Sequence, residues 1–197
     1  MPENSLFSLH TEEAEATLFD PTHVLWAQCT PVVIDRFWSG KSSLQERGHN
    51  WPNLTRVRSL WSGVALFFYF EAWFDSLNVN LNWGTKAAVK NLSYNDVVEA
   101  FLKPEGSGPY FELEVSPLGQ WLDARILKSR IDVDRQWHSN LTVKTIVAEG
   151  EGIWRAFLGM PYESMQAAPP EVGTAWRLTR FRIAGQDPER DDLAWRP

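Results

Sequence analysis

Acidic side chains are concentrated in the middle third of this sequence. Glu112 and Glu114 stand two residues apart in the segment from Tyr110 to Val115, where Phe111, Leu113 and Val115 alternate with polar residues. A strand would therefore place both carboxylates on one face, about 7 Å apart. Such a pair could serve as general acid and base on a glycosidic bond, although a solvated polar face gives the same pattern. The other carboxylates of this region are Asp96, Glu99, Asp123, Asp132 and Asp134.

The usual signatures of other enzyme chemistry and of zinc sites are missing from the sequence. Its four histidines lie far apart, and no nucleotide-binding or serine-hydrolase motif occurs. The single cysteine, Cys29, excludes an internal disulfide and any cysteine-based metal site. Asp132, Asp134 and the acidic residues between 187 and 192 could supply oxygen ligands to calcium, but neither group has the spacing of an EF-hand loop.

The aromatic side chains indicate a second kind of chemistry, the binding of sugars. Flat aromatic rings stack on the apolar faces of a pyranose, while amides, carboxylates and guanidiniums bond its hydroxyls. Four of the 11 tryptophans have strand-like neighbours that predict a core position: Trp61, Trp121, Trp154 and Trp176. Four others lie in polar loop contexts, where each could face a ligand or pack as a lid: Trp51, Trp73, Trp83 and Trp137.

Composition and charge restrict the other function classes. The chain has 197 residues, 44% of them apolar, which is enough for one domain with a sizeable core. A net charge of −6 without a basic block disfavours nucleic acid and anionic membranes as partners. The first 30 residues contain no secretory signal, so we expect a cytoplasmic location, while a longer N-terminus would leave secretion open. The oligomeric state is not indicated.

Short apolar segments separated by Gly and Pro predict an all-β fold, an antiparallel β-sandwich or jelly roll with at most one or two short helices. Residues 1–22 read as an N-terminal arm with one helical turn near Thr11 to Leu18, and residues 23–197 form the domain, with a short helix near 161–165. Strict alternation predicts a strand at Leu77 to Trp83 with its three Asn on one face. The other strands are expected at Val32 to Ile34, Thr55 to Trp61, Leu66 to Trp73, Val97 to Leu102, Tyr110 to Val115, Gln120 to Leu127, Leu141 to Ala148, Ile153 to Gly159, Ala175 to Ile183 and Leu193 to Trp195.

In the last long predicted strand, the apolar residues do not all fall on one face. Trp176 and Leu178 share one face with Arg180 and Arg182, whereas Phe181 and its second neighbour Ile183 take the other. A one-residue β-bulge near Thr179 would reconcile the two patterns.

Several segments together resemble family 9 carbohydrate-binding modules, in particular their bacterial single-domain relatives. The resemblance covers roughly residues 30 to 197, and its most specific part is the strand D-V-V-E-A-F-L from Asp96 followed by Y-F-E-L-E-V-S-P from Tyr110. It also includes R-S-L-W from Arg58, G-T-A-W-R from Gly173 and L-A-W-R-P from Leu193. The resemblance implies a β-sandwich that binds the ends of glucan or xylan chains between two tryptophan rings, with structural calcium ions.

The resemblance carries over to individual residues only in part. Glu99 matches the hydroxyl-binding Glu of the family, while Ser93 stands where the first stacking Trp is expected and Tyr94 follows it. Glu112 occupies the position of the family's binding Arg. The family's second stacking Trp follows the L-A-W motif, and Trp195 is the nearest aromatic residue here.

The leading hypothesis is therefore a protein that binds a glucan-type or xylan-type oligosaccharide or chain end and is associated with carbohydrate catabolism in a bacterium. Its candidate ligand-binding residues are Glu99, Tyr94, Trp73, Trp83, Asn80 and Trp195. One alternative is a protein-interaction sandwich that has lost its sugar site. Another is a hydrolase of O-glycosyl bonds that uses Glu112 and Glu114. Calcium is the only cofactor suggested.

Overall fold

The computed structural model describes residues 6–41 and 53–195. Within these ranges the chain forms two packed β-sheets, which confirms the predicted all-β sandwich. Three short α-helices accompany the strands in the same described ranges: α1 Glu15–Leu18, α2 Val24–Gln28 and α3 Tyr162–Met165. The strands are β1 Leu9–His10, β2 Val32–Ile34, β3 Arg36–Phe37, β4 Thr55–Trp61, β5 Ala65–Trp73, β6 Val97–Lys103, β7 Tyr110–Val115, β8 Trp121–Lys128, β9 Asp132–Asp134, β10 Thr142–Ala148, β11 Ile153–Pro161, β12 Arg177–Ala184 and β13 Asp191–Ala194.

In the described part of the chain, the first sheet has six strands and the second has seven. The six-stranded sheet runs β1-β4-β5-β11-β10, with β2 also paired to β4. The seven-stranded sheet runs β3-β13-β12-β6-β7-β8-β9. All pairs are antiparallel except β1 with β4. The face of each sheet that looks toward the other sheet is called its inner face below, and the opposite face its outer face.

The aromatic run in β5 explains why the six-stranded sheet is buried on both faces. Phe68 and Phe70 belong to the main core between the sheets, whereas Phe67 and Tyr69 point outward. The outward side chains are covered by the first two helices, which contribute a second core: Leu18, Phe19, Trp26 and Cys29. Residues 6–22, read from the sequence as an arm, thus include a strand and a helix that pack on this sheet.

The prediction of a strand at Leu77 to Trp83 is wrong, because this segment forms a loop with turns. Its asparagines make local and long-range hydrogen bonds instead of facing one side of a sheet. Asn80 Oδ1 accepts from the backbone N of Asn82, and Asn78 Nδ2 donates to the carbonyls of Tyr94 and Gly185. Short amide side chains bond nearby backbone in this way and so compete with strand pairing.

The prediction of a β-bulge near Thr179 is also wrong. Strand β12 pairs with β6 in unbroken register from Arg177 to Ile183. The strand is regular because both arginines point into the core. Arg180 and Arg182 are fully buried on the inner face, and Phe181 lies on the outer face. Each guanidinium packs on aromatic rings there. The structure has its register shift elsewhere, between Ile126 and Lys128.

Most other sequence predictions are confirmed, including the hairpin of β4 and β5 and the short helix α3. Helix α2 and the strands β1, β3 and β9 were not predicted, so the described residues contain three short helices where at most two were expected. No helix in the described ranges is long and apolar enough to cross a membrane.

Candidate carbohydrate-binding site

Three carboxyl groups meet on the outer face of the seven-stranded sheet. Glu99 of β6 lies directly opposite Glu114 of β7, and Glu112 lies opposite Phe101. Alternate residues of both strands, such as Val98 and Val115, fill the core, so the glutamates are left on the other face. Directly paired residues on one face have Cβ atoms about 5 Å apart. We call Glu99, Glu112 and Glu114 the carboxyl cluster.

Burial raises the pKa of every member of the carboxyl cluster. Glu99 is 7% exposed, and burial together with the neighbouring charges of Glu112 and Asp192 raises its pKa to about 8. Glu114 is 4% exposed, and burial followed by the charges of Glu99 and Glu112 raises its pKa well above the usual value. The half-buried Glu112 also has a raised pKa because of burial. At neutral pH the cluster therefore retains protons that exposed carboxyls would lose.

The cluster has unused hydrogen-bonding capacity. The Glu114 Oε2 atom is buried and bonds to nothing in the described part of the chain. Glu99 makes no side-chain hydrogen bond within the same residues, although Arg190 attracts its charge. A buried acceptor without a donor is costly, so a ligand that supplies donors is favoured here.

The two glutamates considered for glycoside hydrolysis, Glu112 and Glu114, belong to this cluster. Both lie on one face of β7, as the alternation of the sequence predicts.

An arginine connects the cluster to two neighbouring segments. Arg190, which precedes β13, donates from Nε to Asp192 Oδ1 at 2.7 Å and from Nη1 to the carbonyl of Ser93 at 2.9 Å. Ser93 lies in a 3-10 turn, Leu92–Tyr94, whose Leu92 is buried against the outer face beside Val97. The arginine thus holds this turn close to Asp192 and Glu99.

Two exposed aromatic residues belong to the segments that Arg190 and Asp192 join. Tyr94, next to Ser93, is 70% exposed. Trp38 is 67% exposed, and its backbone N donates to the carbonyl of Asp192 at 3.0 Å. Phe37 pairs with Leu193 and packs on the core, and Trp38 follows it in a turn at the edge of the seven-stranded sheet. Exposed rings near buried polar groups suit stacking on a sugar.

Three further aromatic rings border the carboxyl cluster along the sheet. Phe181 lies opposite Glu99. The Phe101 ring packs edge-on against the Phe181 ring, with 5.4 Å between the ring centroids. Tyr110 lies 6.4 Å from Phe101. All three rings are partly exposed, so they form an apolar border at one end of the carboxyl cluster.

Of the other residues singled out from the sequence, Trp83 packs on the same outer face as the cluster, while Trp73 and Trp195 lie elsewhere. Trp73 ends β5 on the six-stranded sheet, where Arg56 packs over its ring. Trp83 packs near Leu92 and Val97, while the Asn80 carbonyl accepts from the Gln120 side chain. Trp195 packs on the main core, and so do the four predicted core tryptophans: Trp61, Trp121, Trp154 and Trp176.

Sequence reasoning assigned no role to Trp38 or Arg190, and it considered Asp192 only as a possible calcium ligand. The sequence does not show that β3 and β13 are neighbours, because about 150 residues separate them and they pair only at the sheet edge. Trp137, a loop candidate, instead packs on Phe111 and donates from Nε1 to the carbonyl of Ser164. Trp51 lies outside the described residues.

Two of the residues considered for calcium, Asp134 and Asp192, are engaged by arginines. Both oxygens of Asp134 accept hydrogen bonds, from Arg125 and from the backbone N of Gln136 and Trp137. Asp192 bonds Arg190. In the described ranges no group of three or more His, Cys, Asp or Glu residues could hold a metal ion.

Three solved structures with a similar fold concern carbohydrate binding. A family 9 carbohydrate-binding module from Caldicellulosiruptor kristjanssonii, in complex with glucose, is 13% identical, with a TM-score of 0.62 over 95% of this chain and 83% of that one. A second structure of such a module from the same organism, with cellotriose, is 13% identical, with a TM-score of 0.59 over 88% and 75%. A protein from Bacteroides uniformis ATCC 8492 with a proposed role in carbohydrate binding is 14% identical, with a TM-score of 0.62 over 84% and 76%.

The chain has the fold of a family 9 carbohydrate-binding module. At these identities the likeness concerns the fold alone. No protein-family model and no curated protein sequence matches the chain.

Proposed function

We propose that this protein binds carbohydrate, with a glucan-type or xylan-type oligosaccharide or chain end as the ligand, on the outer face of the seven-stranded sheet. The observation that carries the proposal is the carboxyl cluster, whose buried acceptors lie beside partly exposed aromatic rings. A role in carbohydrate catabolism is consistent with such a ligand. The sugar-bound modules of the same fold provide independent support.

The chemistry of the face suits a pyranose. Glu99 and Glu114 offer acceptors that lack partners in the described part of the chain, and sugar hydroxyls are donors. A carboxyl that retains its proton can also donate to a hydroxyl oxygen. Tyr94 and Trp38 offer exposed faces for the C–H side of a ring. The two requirements for sugar binding, polar pairing and stacking, are thus met on one side of the domain.

Calorimetric titration with cello- and xylo-oligosaccharides tests the proposal. We expect binding to the wild type and at least tenfold weaker binding to Glu99→Gln, because a buried hydrogen-bonding group is changed at the centre of the face. Glu105→Gln is the matched control, since Glu105 is exposed in the turn between β6 and β7. Equal affinity of Glu99→Gln and the control would place the ligand elsewhere, and no heat with any oligosaccharide would contradict sugar binding.

A further inference from the structure

The carboxyl cluster and the charged groups that act on it carry more negative than positive groups. Four carboxyls lie together there: Glu99, Glu112, Glu114 and Asp192. Two guanidiniums act on them, those of Arg190 and the exposed Arg135. When all of these groups are ionised, the site has a formal excess of two negative charges.

The two arginines do not satisfy all the carboxyl oxygens of the cluster. Arg190 is engaged by Asp192 and the Ser93 carbonyl. Arg135 attracts Glu112 and Glu114 from an exposed position, where solvent weakens the attraction. The buried Glu114 Oε2 remains without a donor within the described chain. The cluster therefore still lacks a positive group with several N–H donors.

We propose that the preferred ligand is a sugar with a free amino group, such as 2-amino-2-deoxyglucose or its oligomers, whose ammonium binds between Glu99, Glu112 and Glu114. This inference rests on the proposed function and specifies the ligand of the same site. An ammonium has three N–H donors, and its hydrogen bonds to carboxylates are roughly twice as strong as neutral ones. A neutral hydroxyl at the same place supplies one donor and no charge.

A metal ion is a less suitable occupant. The described carboxyls form no group of three that could coordinate one ion, whereas an ammonium bonds through longer N–H contacts in several directions. The apolar border of Phe101, Tyr110 and Phe181 suits the carbon skeleton of a sugar and would be unused by a bare ion.

The proposal includes an exchange of protons. The free site neutralises its excess charge by retaining protons, which is consistent with the raised pKa of Glu99 and Glu114. An ammonium that enters takes the place of this positive charge, so protons leave to solvent as it binds. A neutral sugar causes no such release.

Calorimetry with glucosamine, N-acetylglucosamine and glucose at pH 7 tests the inference. We expect glucosamine to bind at least tenfold more tightly than the other two, with proton release that appears as a dependence of the heat on the buffer. Raising the salt from 50 to 500 mM should weaken glucosamine binding alone. Glu112→Gln should lower the glucosamine-to-glucose affinity ratio at least threefold, while Glu105→Gln leaves the ratio unchanged.

The outcomes separate the two proposals. Glucose binding as tight as glucosamine binding overturns the preference for an amino sugar and leaves carbohydrate binding intact. Tight glucosamine binding that Glu112→Gln does not alter contradicts the assigned position of the ammonium. Failure of all three sugars and of the oligosaccharides overturns both proposals.

Discussion

Arg190 Nε donates a 2.7 Å hydrogen bond to Asp192 Oδ1, two residues further along the chain. The same guanidinium reaches the carbonyl of Ser93, so one side chain joins β13 to the turn that carries Tyr94. On the other side, the carbonyl of Asp192 accepts from the backbone N of Trp38. A continuous series of hydrogen bonds thus connects the segments that carry the two exposed rings.

The first prediction concerns this connection. Arg190→Met keeps most of the apolar stem but removes both hydrogen bonds, so the turn at Ser93 loses its attachment to β13. Hydrogen bonds to charged groups contribute about 1.5–3 kcal/mol, and we expect sugar affinity to fall about tenfold, measured by titration calorimetry. The control is Arg56→Met, since Arg56 is exposed on the six-stranded sheet. Equal affinity of the two variants would contradict the positioning role of Arg190.

The second prediction concerns the rings themselves. Trp38→Ala and Tyr94→Ala should each lower sugar affinity about three- to tenfold, because an aromatic contact contributes about 0.5–1.5 kcal/mol beyond the area it buries. Phe7→Ala is the control, as Phe7 is another exposed ring, near the six-stranded sheet. Tryptophan fluorescence provides a second measurement, since Trp38→Ala should reduce the change seen on ligand binding. A full response in Trp38→Ala would exclude its ring from the site.

The third prediction is a dependence of stability on pH. The folded pKa of Glu99, about 8, lies above its unfolded value, so between about pH 4.5 and 8 the unfolded chain releases a proton that the folded chain retains. Stability is therefore fully present below this window and falls as pH rises through it, by up to about 1.4 kcal/mol per pH unit for each such carboxyl. The burial of Glu99 and the charges of Glu112 and Asp192 produce this effect, while Arg190 opposes it.

Urea denaturation of the wild type and Glu99→Gln at pH 5, 6.5 and 8 measures this slope. The variant cannot ionise at residue 99, so its stability should fall less between pH 5 and 8 than that of the wild type. Glu105→Gln should retain the wild-type slope. Parallel curves for the wild type and Glu99→Gln would show that Glu99 does not retain its proton.

The sequence predicts the fold better than it predicts the site. Alternation in β6 and β7 places Glu99, Glu112 and Glu114 on one face, because side-chain direction in a strand depends only on local spacing. The contribution of Trp38 depends on the pairing of β3 with β13, which links distant parts of the chain and leaves no local pattern. Alternation also misleads at Asn78 and Asn80, where side-chain hydrogen bonds favour a loop.

The buried arginines of β12 show a further limit of sequence patterns and give the fourth prediction. Arg182 Nη2 bonds Asp96 Oδ2 at 3.0 Å, and its Nη1 donates to the carbonyls of Val97 and Ile183. Arg180 is equally buried, but its three guanidinium nitrogens bond to nothing within the described residues. Its Cζ lies 5.4 Å from the ring centroids of Phe68 and Trp195, and burial lowers its pKa to about 9.

Replacing each arginine by methionine should therefore change stability in opposite directions. Arg182→Met leaves the Asp96 carboxylate buried without its cation and should lower the free energy of unfolding by about 3–5 kcal/mol. Arg180→Met removes an uncompensated charge and fills similar space with an apolar chain, so the free energy of unfolding should rise by about 1–3 kcal/mol. Urea denaturation at pH 7 measures both. A loss of stability in Arg180→Met comparable to that in Arg182→Met would mean that the contacts of Arg180 with Phe68 and Trp195 outweigh the cost of burying its charge.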